Sequence, residues 1–314
     1  MPIAALADPA VADRLLTEDV ALVDRSERGK LALTGPQAAE LLNGQLSNDV
    51  EALAPGTGCL AALLTNKGKM LAETRVLAVG DPAPELWLDT ERVALQALFD
   101  AVRRGMVGWQ AELHKRTIQQ ALLSLVGPRA GEVAGWSGSQ HHNRRAPIGG
   151  GDGGLGAPHH GVDVVCAAED AQRVRDALGV PEVPEAAAEV LRVESGRPRY
   201  GIDVDDTTIP QEAGLNDRAV SFSKGCYVGQ ETVARLHYRG KPNRHLRGLR
   251  LSEPAASGTP LLLGDREVGR LGSSVVSPRH GPIALALLRR EAGPGDELRA
   301  GGATAVVAEL PFAH

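Results

Sequence analysis

Residues 223–231 read Ser-Lys-Gly-Cys-Tyr-Val-Gly-Gln-Glu, and the rest of the chain is read outward from this stretch. Gly225 and Gly229 let backbone amides come close to a bound group, and Lys224 places a cation two residues before Cys226. A neighbouring cation favours thiolate, so Cys226 reads as a functional thiol with Lys224 as its partner. The alternative is a small buried hydrophobe, the usual state of a free cysteine. Arg235 follows Glu231 by one helical turn. Tyr200, Phe222, Tyr227 and Tyr238 crowd into this region of a chain that is only 3% aromatic. That crowding fits either a planar-ligand surface or a local packing cluster.

The whole chain of 314 residues is long enough to bury a core without disulfides or metal. Its 34 basic and 39 acidic side chains leave a net charge of −5, which argues against a general nucleic-acid binder. No window approaches the roughly 20 apolar residues of a membrane span. Asp8 and Asp13 occupy the region where a signal peptide would be basic, so a cytoplasmic protein free of the membrane is expected. Cys59, Cys166 and Cys226 stand far apart, which signals neither a disulfide framework nor a zinc site.

Residues 36–42 predict a helix started by Pro36 and stopped by Asn43-Gly44. Cys59–Leu64 and Met70–Val79, joined by Asn66-Lys-Gly-Lys69, predict a hairpin, and Glu85–Asp89 a further strand. Leu95, Leu98, Phe99 and Val102 share one face of a helix over Glu91–Arg104. A strand begins near Ile118 and closes at Gly127-Pro128; Val162–Cys166 gives another, and Glu169–Leu178 a helix ended by Gly179. Another helix begins near Pro184. From residue 241 onward, short apolar runs separated by Gly and Pro predict a β-rich barrel or sandwich. Mixed elements without a βαβ rhythm make the fold class α+β. The Gly/His-rich stretch between Gly135 and Gly161 predicts a mobile surface loop. Its two G-x-G-x-x-G matches lack the strand and helix of a dinucleotide site, and its histidines 141, 142, 159 and 160 lack a rigid frame for metal.

Lys224-Gly-Cys-Tyr-Val-Gly-Gln-Glu231 resembles the signature of the YgfZ family of folate-binding proteins. These are relatives of the aminomethyltransferase (T-protein) of the glycine cleavage system that support iron–sulfur enzymes. Leu191-Arg-Val-Glu-Ser-Gly196, Ile209-Pro-Gln-Glu-Ala-Gly214, Arg239–Arg244 and Val268–Ser274 extend the resemblance over most of the chain. It implies three domains in a ring around a central folate site: residues 1–116 with 190–240, residues 117–189, and a carboxy-terminal barrel over 241–314. In aminomethyltransferases, the turn of the first hairpin is followed by an Asp-Asp pair that holds the acid needed for catalysis. Ala72-Glu73 stands here instead, and a longer side chain displaces the carboxylate from a near-attack geometry.

The resemblance implies tetrahydrofolate or a one-carbon-substituted folate as cofactor. Glu194 is the expected pterin ligand, since a carboxylate accepts paired N–H donors; otherwise it is an ordinary exposed helix-end residue. Tyr200 or Tyr227 stacks on the pterin, Arg235 meets the glutamate tail, and Gln230 of the motif joins the cofactor site. The leading expectation is a monomer that assists assembly or repair of iron–sulfur client proteins through Cys226. The alternatives are a glycine-cleavage-type aminomethyltransferase and a non-catalytic folate-sensing module.

Overall fold

A computed structural model describes residues 8–79, 85–135, 144–147 and 161–312. Most of the Gly/His-rich stretch, its four histidines included, lies outside the described residues. Arg144–Pro147 within that stretch forms a strand.

Two antiparallel sheets and a barrel carry the architecture, as the α+β reading expects. The first sheet runs Gly58–Leu64, Met70–Val79, Glu85–Thr90, Gly29–Thr34, Glu112–Lys115. Along Met70–Val79, buried and half-buried residues alternate, because successive side chains of a strand point to opposite faces. Ala72, Val76 and Ala78 enter a core with Leu41, Leu42, Leu98 and Val102. Glu73 and Arg75 therefore point the other way, where Leu77 and Val79 pack toward Leu122 and Val165 of the second sheet. That sheet runs Ala21–Asp24, Gln120–Val126, Gly161–Ala167, Arg144–Pro147. Its first strand precedes the whole first sheet in sequence, so the chain crosses the division drawn at residue 117.

The Ala38–Gln45 helix does not stop at Asn43-Gly44. Asn43 is recruited by tertiary contacts instead: its Nδ2 donates to Glu51 Oε2 at 2.6 Å, and its Oδ1 accepts from Val50 N at 3.0 Å. The carboxy-terminal strands close a barrel in the order Arg244–Leu251, Gly281–Arg289, Arg266–Ser277, Pro260–Leu263, Glu297–Ala300, Ala303–Ala308. Closure removes the sheet edges and encloses Leu249, Leu271, Ala284, Leu288 and Ala305. The Glu185–Glu194 helix joins the two halves of the molecule. Val193 packs on Ile283, Leu285 and Phe312 of the carboxy-terminal region, while Ala188 and Leu191 pack on the Pro9–Glu18 helix and the second sheet. No helix among the described residues is long and apolar enough to cross a membrane.

Candidate functional site

A cavity of about 170 Å3 lies between the first sheet, the second sheet and the Glu185–Glu194 helix. Ala188, Leu191, Arg192 and Ser195 reach it from one helical face, as spacings of three and four dictate. Leu60, Glu73 and Arg75 reach it from the hairpin. Arginines dominate the wall. Arg25 meets Glu185 at 2.8 Å, Arg28 meets Asp89 at 3.1 Å, and Arg199 meets Glu185 at 2.6 Å. Arg192 meets Glu189 at 2.5 Å and Asp203 at 3.0 Å. Arg75 spans the two sheets, pairing with Asp89 on one and with Asp163 on the other. Burial works to raise the pKa of Asp89, but Arg28 and Arg75 outweigh it and hold the carboxyl well below the usual range.

Three cavity side chains stand apart from this network. Arg197 and Arg218 have no carboxylate partner among the described residues. Glu73 Oε2 is buried and accepts no hydrogen bond from the described residues. Burial raises the pKa of Glu73, against the pull of Arg218 and Arg28. Burial and then Arg218 lower the Arg197 guanidinium to about 10.

The motif loop is built differently from its sequence reading. The Lys224 ammonium donates to Asn43 O at 2.5 Å, Asn43 Oδ1 at 3.1 Å, Leu46 O at 2.8 Å and Asn48 O at 2.8 Å. It thus caps the end of the Ala38–Gln45 helix, where free carbonyls attract a cation. Its charge is committed there and not to Cys226, which corrects the expected thiolate pairing. Gly229 holds φ at +85°, and a side chain there would meet Thr65 O at 2.5 Å. The amino end of the Gln230–Arg239 helix can dock on the hairpin turn only as glycine. Tyr227 is buried with Leu60, Leu64 and Met70. Cys226, between anchored Lys224 and buried Tyr227, is exposed. Cys166 is buried, and burial pushes the Cys59 thiol up to about 12. Iodoacetamide near neutral pH should therefore label Cys226 at least about tenfold faster than either. Peptide mass spectrometry that finds Cys59 or Cys166 modified first would contradict this arrangement.

The other expected site residues separate. Tyr200 lines the cavity, its hydroxyl donating to Met70 O at 3.4 Å. Tyr227 does not: its ring lies in the core beneath the Lys224 ammonium, 5.0 Å away. Gln230 Oε1 accepts from Tyr227 N at 3.4 Å, a local helix-start contact. Arg235 is exposed and absent from the cavity wall. Glu194 is neither an exposed helix end nor a cavity residue. At 4% exposure it accepts from Ser277 Oγ at 2.5 Å and pairs with Arg279, joining its helix to the barrel. The aromatic crowding resolves into separate places too, since Phe222 stacks on His237 at 3.9 Å, beside exposed Tyr238. Arg197 and Arg218 went unread in the sequence because nothing local distinguishes an unpaired arginine from a paired one. Glu73 was read only as a departure from a catalytic pair.

The GCVT N-terminal domain matches residues 12–142, and the CAF17 C-terminal beta-barrel domain matches residues 244–313. A crystal structure of the glycine cleavage system aminomethyltransferase T from Bartonella henselae has the same fold, with a TM-score of 0.83 at 22% identity. It covers 100% of this chain and 91% of that one. An aminomethyltransferase of Streptomyces coelicolor is 28% identical over 88% of this chain and 80% of that protein. The tRNA-modifying protein YgfZ of Cronobacter sakazakii is 27% identical over 85% of this chain and 87% of that protein. The first domain is shared with aminomethyltransferases; the combination with the CAF17 barrel decides the branch. The chain belongs to the YgfZ family. In this YgfZ-family chain, the signature motif works as a clamp between hairpin turn, helix end and core that leaves one thiol at the surface. Ala72-Glu73, expected from the resemblance to replace the acid pair, lie on the cavity strand, with Ala72 turned into the core and Glu73 turned toward the cavity.

Proposed function

We propose that this chain binds tetrahydrofolate, or a one-carbon-substituted folate, in the central cavity and assists assembly or repair of iron–sulfur enzymes as a cytoplasmic monomer. Cys226 is its functional thiol. One observation carries the reading: the motif fixes Lys224 and Tyr227 on either side and leaves Cys226 exposed. A cysteine kept for packing would be buried. The thiol lies outside the cavity wall, so folate and client are met at different places on the molecule.

In the cavity, Glu73 suits the pterin, because its buried Oε2 has no hydrogen-bond partner among the described residues and can accept an N–H of the ligand. Tyr200 offers a ring on the same wall. Aminomethyl transfer is not the proposed reaction. Ala72 carries no acid, and the longer Glu73 side chain displaces its carboxylate from a near-attack geometry.

Cells depleted of the protein should regain iron–sulfur enzyme activity with wild type and not with Cys226→Ser, a nearly isosteric change. Full rescue by the serine variant would leave only the folate-sensing module. Turnover with lipoyl-carrier protein and tetrahydrofolate at about 1–10 per second would restore the transferase reading.

A further inference from the structure

We propose that Arg197 and Arg218 form an anion-binding subsite in the cavity wall that takes a carboxylate of the ligand. Identifying that carboxylate with the folate tail rests on the proposed function; the anion site itself does not.

The other cavity arginines each reach a carboxylate, whereas these two reach none among the described residues. Two half-buried guanidiniums facing one cavity repel each other and lose hydration, a cost that Glu73 opposes without an ion pair and that an incoming anion offsets directly. The loss shows in Arg197, lowered to about 10 by burial and by Arg218.

Both backbones are held in place. Arg197 N donates to Arg192 O at 3.2 Å, just past the Glu185–Glu194 helix. Arg218 O accepts from Asn48 Nδ2 at 3.2 Å, and the same amide donates to Leu60 O at 2.7 Å on the cavity strand. With the backbone fixed, only side-chain torsions remain to be ordered when a guanidinium presents its planar fork to a carboxylate. Glu73 is an acidic residue on this wall and its charge acts on both arginines, but it forms an ion pair with neither among the described residues. Arg235, the tail partner expected from the sequence, stands exposed outside the cavity.

Calorimetry with tetrahydrofolate and with tetrahydropteroate, which lacks the glutamate, tests this on the full chain. Wild type should prefer tetrahydrofolate by about 10–100-fold, the scale of a charged hydrogen bond. The double variant Arg197→Gln/Arg218→Gln should lose that preference and bind tetrahydropteroate as wild type does. It should melt no lower than wild type, because neither guanidinium gives up an ion pair. Arg197→Lys/Arg218→Lys, which keeps both charges, should retain a preference for tetrahydrofolate. If wild type binds neither pterin but inorganic phosphate raises its melting temperature and not that of the glutamine variant, the folate reading fails and the anion site stands. Equal loss of both pterins in the glutamine variant, or no difference between wild type and variant toward all three probes, overturns the proposal.

Discussion

Arg75→Ala should lower the unfolding free energy by about 3–5 kcal/mol, the usual cost of breaking a buried ion pair from one side. Arg75 is 12% exposed and its two partners, Asp89 and Asp163, are 6% and 1% exposed. Removing the guanidinium leaves two carboxylates facing each other across the sheets. Asp89 keeps Arg28, but Asp163 keeps, among the described residues, only the hydroxyl of Ser124, which donates at 2.5 Å. Asp163 thus becomes an uncompensated charge in the joint between sheets. Urea unfolding followed by circular dichroism measures the change. A loss below about 1 kcal/mol, the range of exposed pairs, would show that water reaches this joint. Folate binding should weaken with it, since the same arginine lines the cavity.

Lys224→Met should cost about 2–4 kcal/mol, because the carbonyl oxygens that accept from the ammonium lose a charged donor together. In cells it should resemble loss of Cys226, but for another reason. The lysine variant should melt earlier, while Cys226→Ser melts as wild type does. At a temperature where Lys224→Met is still folded, its Cys226 should alkylate at the wild-type rate. A rate that drops more than about tenfold with unchanged stability would mean that the lysine acts on the thiol after all.

The hairpin, the carboxy-terminal β-region and the helices near residues 95, 171 and 185 were legible in the chain. Each carries its own periodicity and punctuation: Gly179 adopts φ of +63° where the helix was expected to end. Asn43-Gly44 misled because the stop it signals is weak. Contacts of Asn43 with Glu51, Val50 and Lys224 outweigh a local preference worth about 1 kcal/mol. The short strands Ala21–Asp24, Gly29–Thr34 and Glu112–Lys115 were missed for a related reason. Their partners lie far along the chain, as in the register of Leu22 with Leu125, and no local pattern announces such pairing.

By itself the sequence determined the fold class and the family, because the motif is long and Lys224, Tyr227 and Gly229 in it have demanding local jobs. Gly229 must turn with a positive φ against a hairpin, and Tyr227 must fill a core. What it left open was the direction of each charged side chain. Glu194 and Glu73 are both carboxylates on regular elements, yet one is taken up by Ser277 and Arg279 of the barrel region and the other faces the cavity. Lys224 turns from the thiol beside it in sequence to helix-end carbonyls far from it along the chain. Only tertiary structure decided these matters, because the energy of a charge depends on its solvation and on partners within a few ångströms, and those partners come from remote parts of the chain.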